Sequence, residues 1–400
     1  MGNLPPAMIR KALFWTHLVA GVSTGAIIIM MSATGVVLTY EAQWIRWAER
    51  QLDVGAQSDR ASLGLREIRE RAVLAGVEAH GSFAPRTVTL RPEPGSAVQV
   101  SDGGGQRVYL DPYDGTLLAT GFPRLEAFLA AAKGWHRWFN VAQDDRRRGR
   151  AWTGVANLIF LFMLCSGLVL WVPRPRTWTQ FRQVLFFRRG LRPRARDFNW
   201  HNVLGVWSAT PLVVIVASAT VISYGWAGDL ASWVAGDAAG RPAEVTQPRP
   251  STGLGEGEAI DPPDLFRALV AAAGGADGPR AIYKEIAVTL PSSGDTAVSA
   301  QVYRGHRGQP QHLEALRMDV RTGQVLERIV YEDQSRARRF RTFLRYAHTG
   351  EYWGTAGQSV AGIASLAAVA LGITGIGLAL RRLAAFRRRP RRGIDPFRVR

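Results

Sequence analysis

Four long stretches without a charged side chain dominate this 400-residue sequence. A helix of about 20 apolar residues is enough to cross the hydrocarbon core of a membrane, and all four stretches are longer. The first is also too long for the apolar core of a signal peptide, so we expect a retained anchor. The sequence therefore predicts an integral membrane protein with four transmembrane helices, over residues 12–40, 151–173, 198–228 and 352–380.

The formal charge of +18 is concentrated beside these stretches. Residues 1–11, 174–197 and 381–400 carry +2, +7 and +8, and all three fall on one side if the chain crosses four times. Basic residues mark the cytoplasmic side, so we expect both termini in the cytoplasm. Because the arginines flank the spans, we interpret them as contacts with the lipid bilayer, and we expect no nucleic-acid partner.

The two segments between the spans predict small α+β units on the opposite side, over residues 61–121 and 261–331. Each has a helical pattern followed by alternating strands. Each also ends in a hairpin with the same spacing, D111-P-Y-D-G115 in one and D319-V-R-T-G323 in the other. Amphipathic helices over 125–139 and 336–348 follow the units. The order of features is the same in both halves, which indicates an internal duplication.

Four histidines lie at the edges of the predicted spans. His17 and His201 fall on the cytoplasmic side, and His136 and His348 fall on the other side. The members of each pair occupy equivalent positions, so two parallel halves related by an axis along the membrane normal would bring them face to face. Imidazole is a strong axial ligand of haem iron. We predict two haem b groups, one held by each pair; the alternative is four ordinary interfacial histidines.

Other residues near these histidines have two possible roles. Arg137 and Arg345 could pair with haem propionates or reach lipid headgroups. Gly21 and Gly205 could leave room for a macrocycle or allow close helix packing. Four aromatic side chains surround the outer pair and could form a substrate wall or an interfacial belt: Trp135, Trp138, Tyr352 and Trp353.

The remaining candidate residues give weaker indications of a binding or catalytic site. His80, His306 and His312 fall in the predicted soluble units, where we expect solvated side chains; the alternative for His306 and His312 is a loosely spaced metal pair. Cys165 is the single cysteine, so the chain can form no internal disulfide.

These features resemble the PepSY-associated transmembrane-helix family of bacterial iron-regulated inner-membrane proteins. The resemblance covers residues 10–385 and includes both D-x-x-x-G hairpins, H17-x-x-x-G21, H201-x-x-x-G205, S166-G-L-V-L-W-V-P-R174 and T374-G-I-G-L378. The third span departs from it, because A219-T-V-I-S223 lacks the glycine found in A33-T-G-V-V37. The resemblance implies four helices, two periplasmic PepSY-like units and a haem-containing reductase of ferric siderophores.

The leading hypothesis is therefore a haem-dependent oxidoreductase. Electrons from an unidentified cytoplasmic or membrane-borne donor would enter at His17/His201, pass to His136/His348 and reduce a ferric siderophore, releasing Fe(II) in the periplasm. The alternative is a haem-free membrane module whose PepSY-like units bind a peptide or a partner protein. A transporter subunit is disfavoured, because no predicted span carries a charged residue in its interior.

Overall fold

The computed structural model describes residues 6–52, 54, 62–93, 95–174, 176–236, 283–290, 297–319 and 322–387. The helices are α1 Pro6–Thr39, α2 Glu41–Glu49, α3 Leu65–His80, α4 Pro123–Trp138, α5 Arg146–Trp171, α6 Trp178–Leu185, α7 Pro193–Ser223, α8 Gly225–Val234, α9 Arg336–Thr349 and α10 Gly354–Arg387. The strands are β1 Pro85–Leu90, β2 Val98–Asp102, β3 Arg107–Leu110, β4 Leu117–Ala119, β5 Glu285–Thr289, β6 Ala297–Tyr303, β7 Leu313–Asp319 and β8 Val325–Val330.

These elements form two compact units. The helical unit comprises residues 1–38, 132–224 and 359–400, and the sheet unit comprises residues 39–131 and 225–358. Four long apolar helices, α1, α5, α7 and α10, confirm the predicted multi-pass α+β membrane protein with four candidate spans. Helices α5 and α10 continue past the uncharged stretches into arginine-containing turns, since arginine at a helix end can reach the headgroup region.

The core of the helical unit joins three of the long helices. Leu164 of α5, Leu212 of α7 and Ala364 of α10 belong to one buried apolar cluster. Helix α5 ends at Trp171, two residues before Pro173, because a proline disfavours helical backbone in the residue before it. A guanidinium completes this helix end: Arg10 of α1 donates hydrogen bonds to the carbonyls of Leu170 and Val172, at 2.7 and 3.0 Å.

One eight-stranded antiparallel sheet forms the core of the sheet unit, in the order β4-β3-β2-β1-β5-β6-β7-β8. Strands β1 and β5 pair at the centre, with Val88 opposite Val288. The strands of the two predicted α+β segments therefore form the two halves of one sheet. The first predicted helical pattern is α3, which buries Ile68 and Ala72 against the sheet. The second, at Leu265, Leu269 and Val270, lies outside the described residues.

The two predicted hairpin turns have the same construction. In each, the glycine N–H donates to the carbonyl of the aspartate four residues earlier, Gly115 to Asp111 at 3.0 Å and Gly323 to Asp319 at 2.9 Å. Both glycines have positive φ, 73° and 67°, which a residue with a β-carbon adopts only with strain. The spacing D-x-x-x-G is thus explained by the turn it builds.

Candidate functional site

Three histidines of the helical unit are held in the same way, each by a hydroxyl group from another helix. The distances from Nδ1 to the hydroxyl oxygen are 2.8 Å for His17–Ser166, 3.1 Å for His201–Thr374 and 3.1 Å for His136–Thr34. The pairs connect α1 with α5, α7 with α10, and α4 with α1. One local arrangement therefore recurs three times in this unit.

The hydroxyl groups favour one position for the proton of each ring. A serine or threonine hydroxyl has one proton to donate. Each of these three donates it to a carbonyl in its own helix: Ser166 to Met163 at 3.2 Å, Thr374 to Ala370 at 2.7 Å and Thr34 to Met30 at 2.8 Å. Toward the imidazole the hydroxyl must then act as acceptor. When the hydroxyl proton goes to the helix carbonyl, the ring carries its own proton on Nδ1.

A backbone group supports the same assignment for the His136 ring. His136 Nδ1 lies 2.8 Å from the carbonyl oxygen of Met31, which can only accept. The His201 ring is also hydrogen bonded to the backbone of Leu371. Met31 and Leu371 each precede the hydroxyl residue by three positions, so one helical turn supplies both partners. With Nδ1 protonated, Nε2 keeps its lone pair.

A glycine follows the hydroxyl residue in all three helices and lets the ring approach the backbone closely. A β-carbon at this glycine would lie 3.2–3.4 Å from Cε1 of the histidine, a spacing tighter than ordinary van der Waals contact; the pairs are Gly167–His17, Gly375–His201 and Gly35–His136. A larger residue would push the ring away by a few tenths of an ångström. The Ser/Thr–Gly dipeptide thus supplies both the acceptor and the space.

This arrangement fits an axial ligand of haem iron. A histidine that binds iron through Nε2 ordinarily donates its Nδ1–H to a second group, which fixes the ring orientation. His17 and His201 also lie close enough for their imidazoles to interact electrostatically. Among the residues that the structure describes, no group of three or more His, Cys, Asp or Glu side chains could hold a metal ion.

The fourth predicted ligand, His348, lies on α9 in the sheet unit, so its pairing with His136 remains a prediction from the sequence. Arg345 is on the same helix, with its guanidinium 5.9 Å from the ring centroid of Tyr346. Tyr352 and Trp353 also belong to the sheet unit, where both pack against Phe343, with ring centroids 4.9 and 5.8 Å away.

The other predicted substrate residues lie in the helical unit. The guanidinium carbons of Arg137 and Arg146 lie 5.1 and 4.8 Å from the ring centroid of Trp138. The side chain of Trp135 is exposed. The four aromatic residues predicted to contact substrate are thus divided between two units, and their common role remains a prediction.

The glycines one turn after His17 and His201 face neighbouring helices. A β-carbon at Gly21 would lie 3.2 Å from Met163 of α5, and one at Gly205 would lie 3.7 Å from Leu371 of α10. Of the two roles considered, these contacts favour close helix packing.

The residues that the sequence argument missed are Ser166, Thr374 and Thr34. Their signal was present, because a Ser/Thr–Gly dipeptide occurs in three of the four spans. It could not be assigned to a histidine, since the contact joins residues more than 100 positions apart in the chain. Asn157 was also missed; its buried amide donates to the carbonyl of Val216 and the hydroxyl of Thr220.

Comparison with known proteins agrees with the resemblance seen in the sequence. Residues 14–382 match the family described as the PepSY-associated TM region. Because the match covers most of the chain, the protein belongs to this family of membrane proteins. No curated protein gives a significant match.

Proposed function

We propose that this protein is a membrane oxidoreductase that binds two b-type haems and passes electrons across the bacterial inner membrane to ferric siderophores. The observation that carries the proposal is the repeated hold on Nδ1 of His17, His201 and His136, which leaves Nε2 available to iron. His348 is the fourth ligand, paired with His136. Haem b with two histidine ligands transfers single electrons and has no open position for a substrate.

Side chains of the protein fix the orientation of the histidine ligands and supply positive charge opposite the haem propionates. The hydroxyls of Ser166, Thr374 and Thr34 hold three rings in the tautomer that iron requires. Arg137 and Arg345, each next to or near an outer histidine in the sequence, pair with the propionate carboxylates through charge-assisted hydrogen bonds. Neither the orientation of the histidine rings nor the pairing with propionates requires a change of protonation in the protein.

The substrate proposal concerns the side that carries the sheet unit, which we place in the periplasm. Trp135, Trp138, Tyr352 and Trp353 contact the ferric siderophore. The oxygen donors of a siderophore are hard ligands that favour Fe(III) over Fe(II). Addition of one electron therefore weakens the complex, and Fe(II) is released. The donor is a cytoplasmic or membrane-borne reductant.

The spectrum of the full-length protein, purified in detergent from haem-replete cells, tests this function. We expect a Soret band and two non-covalent haem b groups per chain, because no CxxCH attachment motif is present. A colourless protein would contradict the proposal and favour the haem-free module that binds a peptide or partner protein.

Histidine variants test the pairing. His17→Ala and His201→Ala should each remove one and the same haem, whereas His136→Ala and His348→Ala should remove the other. His312→Ala, in a loop of the sheet unit, serves as the control and should keep both. Loss of a common haem in His17→Ala and His136→Ala would show that the pairs are assigned wrongly.

A further inference from the structure

The loop between α6 and α7 and the beginning of α7 form a cleft of about 330 Å³. Three arginines, Arg188, Arg189 and Arg196, line it together with Phe187, Leu191 and Trp200. The rings of Phe187 and Trp200 meet edge to face, with centroids 6.0 Å apart. The cleft is thus positively charged and aromatic, and it belongs entirely to the helical unit.

The loop that forms the cleft is held in a fixed shape by the buried side chain of Asn199. Its amide donates to the carbonyls of Gln183 and Phe186, at 2.8 and 3.1 Å, and its oxygen accepts from the N–H of Arg188 at 3.0 Å. A second attachment is the indole of Trp207, which donates to the carbonyl of Leu185 at 2.9 Å. The cleft is therefore built by specific contacts.

The loop that lines the cleft contains a glycine at a turn with positive φ. Gly190 has φ of 72°, a conformation that other residues adopt only with strain, and it directly follows Arg188 and Arg189. The sequence F186-F-R-R-G-L191 thus places two arginines on a constrained turn beside two aromatic rings.

The carboxylates of the described residues neutralise only part of the positive charge in the cleft. Arg196 is paired with Asp197 at 3.0 Å, and the second oxygen of Asp197 accepts from Arg381 at 2.6 Å. Among the described residues, no carboxylate is within ion-pair distance of Arg188 or Arg189. One aspartate therefore faces two guanidinium groups, while two further guanidinium groups have no anion.

We propose that this cleft binds the phosphate headgroup of an anionic phospholipid. Guanidinium groups are suited to phosphate because their donors form a planar fork. The two aromatic rings that line the cleft, Phe187 and Trp200, are 55% and 44% exposed in the protein alone and so provide an apolar surface for the acyl chains. Aromatic residues beside arginines are typical of the level where lipid headgroups lie.

The residues that line the cleft favour a phospholipid over a quinol as its ligand. Oxidation of a quinol releases protons and needs a group that can accept them. Among the described residues that line the cleft there is no carboxylate or imidazole, and guanidinium stays protonated. A phosphate diester needs only the positive charge that the cleft provides.

Native mass spectrometry of the full-length protein in detergent tests the proposal, with phosphatidylglycerol and phosphatidylcholine of equal chain length as probes. We expect one phosphatidylglycerol to bind more tightly than phosphatidylcholine. The double variant Arg188→Gln/Arg189→Gln should weaken that binding about 10- to 30-fold, since each surface arginine contributes about one factor of 5. The matched control Arg192→Gln/Arg194→Gln removes the same charge at the beginning of α7, from residues that do not line the cleft, and should change the binding less than about 2-fold.

Other outcomes would overturn the proposal. Equal weakening in the two double variants would show a diffuse electrostatic effect without a site. Inorganic phosphate is the second probe: if it prevents phosphatidylglycerol binding at equal concentration, the site takes a free anion and not a lipid. Asn199→Leu keeps every arginine but releases the loop, and it should weaken binding as much as the double variant. Wild-type binding in Asn199→Leu would show that the built cleft is not the site.

Discussion

At the scale of single residues, a hydroxyl group beside each of three histidines influences which ring nitrogen is available to a metal. A neutral imidazole has two tautomers, and only one presents Nε2 as a donor to a metal. Ser166, Thr374 and Thr34 accept from Nδ1 when their own protons go to the helix carbonyls that lie within hydrogen-bond distance. Without this partner the ring could rotate or exchange tautomers, and the ligand would no longer be fixed in advance.

Replacement of Thr374 by valine tests this role of the hydroxyl. Valine has nearly the same shape but accepts no hydrogen bond, so His201 should lose its orientation while the helix packing is kept. Loss of such a partner typically lowers affinity for the metal group about 10- to 100-fold, which a haem titration of the protein would measure. Thr16→Val is the control, because the Thr16 hydroxyl bonds only to its own helix beside His17. Equal haem affinity in both variants would contradict the assignment.

The sequence predicts the histidines but not their partners. Four histidines at the edges of apolar spans, in two equivalent pairs, are unusual enough to single out. The hydroxyl of Ser166, in contrast, belongs to a common residue type in a helix, and its contact with His17 depends on how two helices pack. Only the three-dimensional structure shows that the histidine ring packs against the glycine that follows this serine.

At the scale of secondary-structure elements, the central seam of the sheet contains a buried set of charges. Arg91, which follows β1, contacts Glu49 of α2 at 3.0 Å and Glu285 of β5 at 3.3 Å, and all three side chains are less than a tenth exposed. Tyr109 donates to Glu49 at 3.2 Å, and Arg307 also pairs with Glu285. Arg91 thus lies between two carboxylates, and its ion pair with Glu285 connects the two halves of the sheet.

Replacement of Arg91 by leucine should destabilise the protein strongly. Two buried carboxylates would lose their shared cation, and removal of one partner of a buried ion pair costs about 3–5 kcal/mol. Thermal unfolding in detergent measures the change. Arg66→Leu is the matched control, because its pair with Glu70 is exposed and contributes less than about 1 kcal/mol. Equal melting temperatures for the two variants would show that the seam does not depend on these charges.

A second element, the loop between β6 and β7, should respond to pH through His306. Burial, followed by the charges of Lys284 and Arg46, lowers the pKa of His306 below its ordinary value of 6.5. The unfolded chain then binds this proton more readily than the folded protein, so stability falls as the pH drops below about 6.5. His306→Gln should reduce the loss of melting temperature between pH 7.5 and 5.5. An unchanged pH dependence in the variant would assign the effect to another group.

The elements themselves were largely predictable, whereas their partners were not. Runs of uncharged residues locate α1, α5, α7 and α10, and the alternating pattern R86-T-V-T-L90 locates most of β1. The pairing of β1 with β5 joins residues about 200 positions apart, and no local pattern encodes it. For that reason the sequence predicts the two α+β segments but not that their strands form one sheet.

At the scale of the whole molecule, the single sheet constrains how the chain crosses the membrane. Strands β1 to β4 come from the segment between the first two candidate spans, and β5 to β8 come from the segment between the last two. Strands paired in one sheet must be on the same side of the membrane. An even number of crossings between these segments satisfies this requirement, as does the distribution of the basic residues.

The last prediction concerns the direction of electron transfer. If the sheet unit is periplasmic, the substrate meets the His136/His348 end, because the opposite side offers only short arginine-rich segments. Protein reduced with dithionite in sealed vesicles should therefore be reoxidised by ferric siderophore added on the side of the sheet unit, and not by siderophore on the other side. His348→Ala should block this reoxidation while the His17/His201 haem stays reducible. Reoxidation of His348→Ala at the wild-type rate would show that electrons leave the protein elsewhere, and a transmembrane path through both histidine pairs would then be wrong.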